Sequence, residues 1–144
     1  MAISQAMATS FKVQILDGDF AFSSGTSQVF KIALYTNAAT LGATTTAYSG
    51  TNEVTGTGYV ATGNTLTISQ VPTSSGTTAF LDFADTTWST ATITARGALI
   101  YLSNGGTNPA VAVLDFGADK TSTAGDFTIV FPAGDSSNAI IRIA

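Results

Sequence analysis

Apolar and polar residues alternate with a period of two along most of the chain, and helical periodicity is almost absent. Phe127, Ile129 and Phe131 share one face against Thr128 and Val130. Phe30, Ile32 and Leu34 alternate with Lys31, Ala33 and Tyr35, and Phe11, Val13 and Ile15 with Lys12 and Gln14. Leu66 and Ile68, Ile93 and Ala95, and Ala139, Ile141 and Ile143 repeat the pattern. Strict alternation marks strands with one buried face, so each of these segments is predicted as a strand. Two runs are apolar on both faces, 97–102 (Gly-Ala-Leu-Ile-Tyr-Leu) and 110–116 (Ala-Val-Ala-Val-Leu-Asp-Phe). Their shortness, their Val and Ile content and their Gly, Asn, Pro or Asp flanks favour strands covered on both sides over buried helices. The link between them carries Asn104-Gly105, a hairpin signal, which predicts an antiparallel pair near the middle of a sheet.

Turn signals recur about every 8–12 residues, as expected for an antiparallel sandwich or barrel. The predicted fold is all-β: a single antiparallel β-sandwich, jelly-roll or immunoglobulin-like, of about eight strands with negligible helix. Its inward positions should include Phe30, Ile32, Leu34, Leu81, Phe83, Leu99, Leu114, Phe116, Phe127, Ile129, Phe131 and Ile141. Residues 20–144 form the sandwich, and residues 1–19 an N-terminal arm or a first strand. Leu81-Asp-Phe-Ala-Asp85 and Leu114-Asp-Phe-Gly-Ala-Asp119 echo each other, and each reads as strand, acidic turn, strand. The segments 73–76, 121–125 and 133–138 read as plain turns. Residues 37–63, rich in Thr, Ala and Gly, form the longest weakly patterned stretch. A long excursion inside a compact β domain is commonly a functional loop or a contact arm.

Composition narrows the chemistry. The chain has no His, no Cys and a single Glu, Glu53, but 39 Ser or Thr residues. A nucleophilic serine needs an activating base, and histidine is not there to serve as one. A glycosidase needs two carboxylates across a cleft, and no spacing motif pairs Glu53 with an aspartate. Asp17-Gly18-Asp19 reads as a turn and lacks the further spaced acids of a calcium loop. Asp115, Asp119 and Asp126 flank a predicted turn, either as solvated carboxylates or converging on a cation. The expectation is a non-enzyme with no cofactor and no metal. The five basic residues are scattered, which argues against nucleic acid. No apolar run approaches the length of a membrane span, and the N-terminus has no basic n-region of a secretory signal. Synthesis in a cytoplasm without general export is therefore expected.

Charge changes the picture most. Five basic and nine acidic residues make 14 charged positions in 144, against the quarter or so usual in soluble domains. Such a surface is either covered by Thr, Ser, Asn and Gly or buried against other protein, and few charges guard its sheet edges. Self-association or attachment to a larger assembly is expected. Tyr48 and Tyr59, on the long loop with Glu53, are candidate interface residues, because tyrosine is enriched where surfaces meet. Phe11 and Phe20, in and just after the N-terminal segment, are candidates as well. Trp88 reads first as a core aromatic and second as a partner anchor.

The order of motifs carries one resemblance. Phe30-Lys-Ile-Ala-Leu-Tyr-Thr36 is followed by Asn52-Glu-Val-Thr-Gly-Thr-Gly-Tyr59 and a Phe83/Trp88 strand pair. Then come Thr94-Ala-Arg-Gly-Ala-Leu-Ile-Tyr101, Ala112-Val-Leu-Asp-Phe116 and Lys120-Thr-Ser-Thr-Ala-Gly-Asp-Phe-Thr-Ile129. Over residues 29–143 this resembles a group of small tailed-bacteriophage virion proteins, of head-decoration or tail-fibre-associated type. The resemblance implies location in a virion, partners among the major capsid or tail proteins, and no catalytic residues. The expected role is a structural protein decorating or cementing a phage capsid. The alternative is a tail- or fibre-associated module that recognises a receptor or carbohydrate through Tyr48, Tyr59 and the 37–63 loop.

Overall fold

The computed structural model describes residues 2–144. The chain runs β1 (Ala6–Met7), α1 (Thr9–Asp17), β2 (Val29–Tyr35), β3 (Asn64–Thr65), β4 (Ile68–Ser75), β5 (Thr78–Phe83), β6 (Thr86–Ser103), β7 (Ala110–Ile129) and β8 (Ile141–Ile143). Strands pair antiparallel into a five-stranded sheet, β1-β7-β6-β2-β3, and a three-stranded sheet, β4-β5-β8. The fold is an all-β sandwich. Among the described residues, no helix is long and apolar enough to cross a membrane.

β6 and β7, 18 and 20 residues long, are the frame. Their turn lies at the Asn104-Gly105 signal. The Asn104 side chain closes it by accepting from the Gly106 and Asn108 amides at 3.0 and 2.9 Å. Ala98, Leu99, Ile100 and Val111 are fully buried, as expected of strands covered on both faces. All twelve predicted inward positions are buried except Phe116, which is half-buried.

The second half of β7 departs from the expected pattern. Residues 114–129 do not make a second hairpin, and 121–125 is not a turn, because the strand runs straight through both. The irregularity is absorbed by bulges instead. Between Asp115 and Lys120, β7 carries extra residues against β6, and it slips again between Ser122 and Gly125. The Asp115 carboxylate accepts the Gly117 amide at 2.9 Å, so the acidic residue stabilises a bulge and not a chain reversal. The first copy of the echo, Leu81–Asp85, connects β5 in one sheet to β6 in the other.

Residues 2–19 are docked along their length. Ser4 donates to Leu41 O at 2.9 Å, Leu41 donates to Ala2 O at 3.1 Å, and β1 pairs with β7 at Ala112 and Val113. The expected strand through Phe11, Val13 and Ile15 is instead the helix α1. Phe11 and Ile15 are four residues apart, so they satisfy a helical face as well as a strand face. Gly18 decides between the two. It adopts the left-handed region (φ 83°), and the amides of Gly18 and Asp19 bond to Ile15 O and Gln14 O, which is a Schellman cap. The Asp-Gly-Asp turn is this cap.

Phenylalanines join the helix to both sheets. Phe11 meets Phe20 edge-on at 4.8 Å, Phe22 stacks on Phe30 at 4.4 Å, and Phe30 lies 6.2 Å from Phe83 of the smaller sheet. Phe83 in turn contacts Phe131 at 5.9 Å. Each such pair adds about 0.5–1.5 kcal/mol beyond the area it buries. Phe11→Ala should therefore cost about 3–5 kcal/mol in denaturant unfolding. Leu16→Ala, on the same helix but 88% exposed, should stay within about 0.5 kcal/mol of the parent. Equal effects would mean that the helix is not part of the core.

Candidate functional site

Glu53 and all four tyrosines of the chain converge on one place. The loop after β2 turns back along the strand: Thr36 donates to Asn52 O at 3.0 Å and Val54 to Leu34 O at 2.9 Å. This returns Glu53 beside Tyr35, with which it forms a bridge. The chain then crosses β6, where Thr92 donates to Thr57 O at 2.9 Å. Glycine is required here. A Cβ on Gly63 would lie 1.8 Å from Ile32 O, and one on Gly58 2.7 Å from the Ala91 Cα, both at positive φ. The Glu-Val-Thr-Gly-Thr-Gly-Tyr motif thus serves close backbone approach.

The carboxylate is fully occupied. Oε1 accepts from the Tyr59 hydroxyl at 2.6 Å and the Thr62 amide at 2.8 Å, and Oε2 accepts from the Tyr48 hydroxyl at 2.6 Å. The Tyr59 oxygen also accepts the Leu34 amide at 2.9 Å. Tyr35 donates to Ser49 O and Tyr101 to Thr62 O, each at 2.7 Å. Tyr48 stacks on Tyr101 with centroids 4.7 Å apart. Burial, reinforced by the Glu53 charge, pushes the Tyr101 phenol up to about 12. Burial likewise raises Tyr35, Tyr48 and Tyr59 well above the ordinary phenol range, with the Glu53 hydrogen bond adding to it at Tyr48 and Tyr59. Short bonds between phenols and a buried carboxylate fasten the loop to the sheet.

This corrects the expected interface. Glu53 and Tyr59 are buried, Tyr48 is half-buried with its ring on Tyr101, and Phe11 and Phe20 lie in the aromatic core. Glu53, Tyr59, Phe11 and Phe20 spend their contacts inside the domain, whereas Tyr48 keeps part of its surface exposed. Trp88 is buried between Tyr59 and Phe127, at 5.8 and 6.2 Å, in agreement with its core reading. The three aspartates expected near one turn go to separate tasks. Asp115 lies 3.5 Å from Arg96, Asp119 accepts from Asn37 at 2.9 Å, and Asp126 accepts the Thr90 amide at 3.3 Å. Among the described residues, no group of three His, Cys, Asp or Glu is placed to hold a metal ion.

The surface that sequence reasoning missed is the free side of β7. β1 covers β7 only at Ala112 and Val113, and beyond Asp115 its one strand partner is β6. An open groove of about 450 Å³ runs there, lined by residues of both strand faces, among them Lys120, Thr121, Phe127, Thr128 and Val130. The run 121–125 carries no charge, but its Thr, Ser, Ala and Gly residues also read as a turn.

Compared with known protein families, curated proteins and solved structures, the chain matches none.

The tyrosine cluster makes a pH prediction. Free phenols ionise near pH 10, and here the fold holds them protonated. The stability they contribute is complete below about pH 10 and is lost as pH rises through the elevated native values. The phenolate absorbance of the native protein should stay flat through pH 10 and then rise together with unfolding. A simple titration of tyrosines near pH 10 would contradict the cluster. Glu53→Gln, which leaves one phenol without its acceptor, should cost about 1–3 kcal/mol and move the phenolate rise to lower pH.

Proposed function

We propose that the chain is a non-enzymatic bacteriophage virion protein that decorates or cements the capsid. The observation that carries this reading is the far half of the β6–β7 ribbon. It is a long strand pair whose outer edge is unpaired and carries one charge, Asp126, between Thr121 and Ile129, built onto a domain whose one glutamate is bonded to its own tyrosines. Such a body suits work by contact, in which many small interfaces are multiplied by symmetry and avidity. The motif order shared with small tailed-phage virion proteins supports the virion as the setting. With residues 2–19 docked on the domain, the clasping role passes from an N-terminal arm to the ribbon edge.

A receptor-binding module on the tail is the weaker reading, because Tyr59, which it needs outside, is buried and the Tyr48 hydroxyl is bonded to Glu53. Imaging virions with the gene deleted separates the two. Decoration predicts particles that assemble, lose surface density on the head and release DNA sooner on heating. Intact heads with missing tail density, or failed adsorption, would overturn the capsid assignment.

A further inference from the structure

We infer that the open edge of β7 pairs antiparallel with the same edge of a second copy, with Thr121 of each copy opposite Thr128 of the other. The inference rests on reading the chain as an assembly-forming protein. It is tested on the free protein, so its failure is separate from failure of the virion assignment.

The other sheet edges are poor templates. β1 and β3 have two residues each and β8 three, while β4 carries Pro72, which has no amide to donate. The stretch of β7 from Thr121 to Ile129 spans about 30 Å at the usual rise per residue.

Backbone direction selects the residues. On β6, Thr92 donates its amide to Thr57 O, and Thr87 O accepts from Asn64 Nδ2, so both turn their backbone groups away from β7. Thr94, two residues on, turns the same way. In an antiparallel pair, the residue opposite an outward-turned one is outward-turned too. Thr94 lies opposite Thr121, and Thr87 opposite Thr128. Thr121 and Thr128 therefore aim N–H and C=O at the empty side, where another strand can exchange both bonds with each.

Side chains agree with that register. Within one copy, the hydroxyls of Thr94 and Thr121 meet at 2.9 Å, as do those of Thr87 and Thr128. Both pairs lie on the face opposite buried Trp88, Ile93 and Phe127. Setting Thr121 against Thr128 of the second copy joins the two hydroxyl pairs into one row running across both molecules. It also sets Ser122 against Phe127 and Lys120 against Ile129 of the second copy, so inner faces stay together across the bulge. Charge fixes the choice. In this register Asp126 faces Thr123 of the second copy, and no two like charges oppose. Slipping by two residues in one direction brings Asp126 diagonally against Asp119 of the second copy, which is unfavourable. Slipping the other way sets Thr128 against the bulge. The pairing is isologous, so one twofold axis makes both halves.

The chain has no cysteine, so crosslinking reads the register directly. Positions directly opposite in a bonded antiparallel pair lie about 5.5 Å apart at Cα, within disulfide range. Within one chain, positions 121 and 128 are seven residues apart along a strand and cannot join. The T121C/T128C double variant, oxidised, should run at twice the chain mass, with a peptide linking position 121 to position 128. Each single variant should crosslink at least tenfold less. Sedimentation of the parent should show a concentration-dependent dimer that T121K/T128K abolishes, with unchanged circular dichroism. A double variant that stays monomeric, single variants that crosslink equally well, or a parent that remains monomeric at millimolar concentration would each overturn the inference.

Discussion

Everything else in this molecule hangs on the pairing of β6 with β7. Two strands of 18 and 20 residues are several times the usual strand length of five or six. They can stay together only because each stretch of the pair has something to lean on. Near the turn, β2 and β1 flank them, and apolar residues fill both faces. Farther out, β6 leans on the 55–64 segment through Thr57 and Asn64, while β7 has β6 alone. The bulges follow from the same constraint. A pair this long twists and must bend to stay on the domain, and extra residues in β7 add that local bend and twist without ending the strand.

The second constraint is the scarcity of charge. One glutamate holds a loop of more than twenty residues, because two phenols and an amide share its oxygens in a setting where each bond is worth more than in water. The arrangement commits both oxygens of this carboxylate to groups of the same domain. On the ribbon edge, the stretch from Thr121 to Ile129 carries a single charge, Asp126, so little there discourages another strand from adding. A single compositional fact thus produces a closed interior network and an open exterior edge.

Much of the fold was legible from the pattern of residues. Period-two alternation located β2, which sets Phe30, Ile32 and Leu34 on one face, while runs apolar on both faces and the Asn104-Gly105 pair located the near halves of β6 and β7 and their hairpin. It misled at Phe11–Ile15, where spacing by four serves a helix equally and only the Gly18 cap decides. It misled again at 121–125, where Thr, Ala and Gly resemble a turn although the residues continue a strand. The glycines of the Glu53–Tyr59 segment signalled tight backbone, but nothing local shows against what.

What the sequence alone determined is the inventory: an all-β chain with these core positions, no histidine or thiol, and a surface poor in charge. These follow from residue types and near-neighbour spacing, which are local properties. Tertiary structure alone decided that Tyr48, Glu53 and Tyr59 bond to one another, and that β7 beyond Asp115 has a strand partner on one side alone. Both outcomes depend on contacts between residues far apart in the chain, such as Tyr101 with Thr62 or Thr87 with Thr128. Such contacts are set by how whole strands stack and register, and no local pattern of apolar and polar residues encodes them.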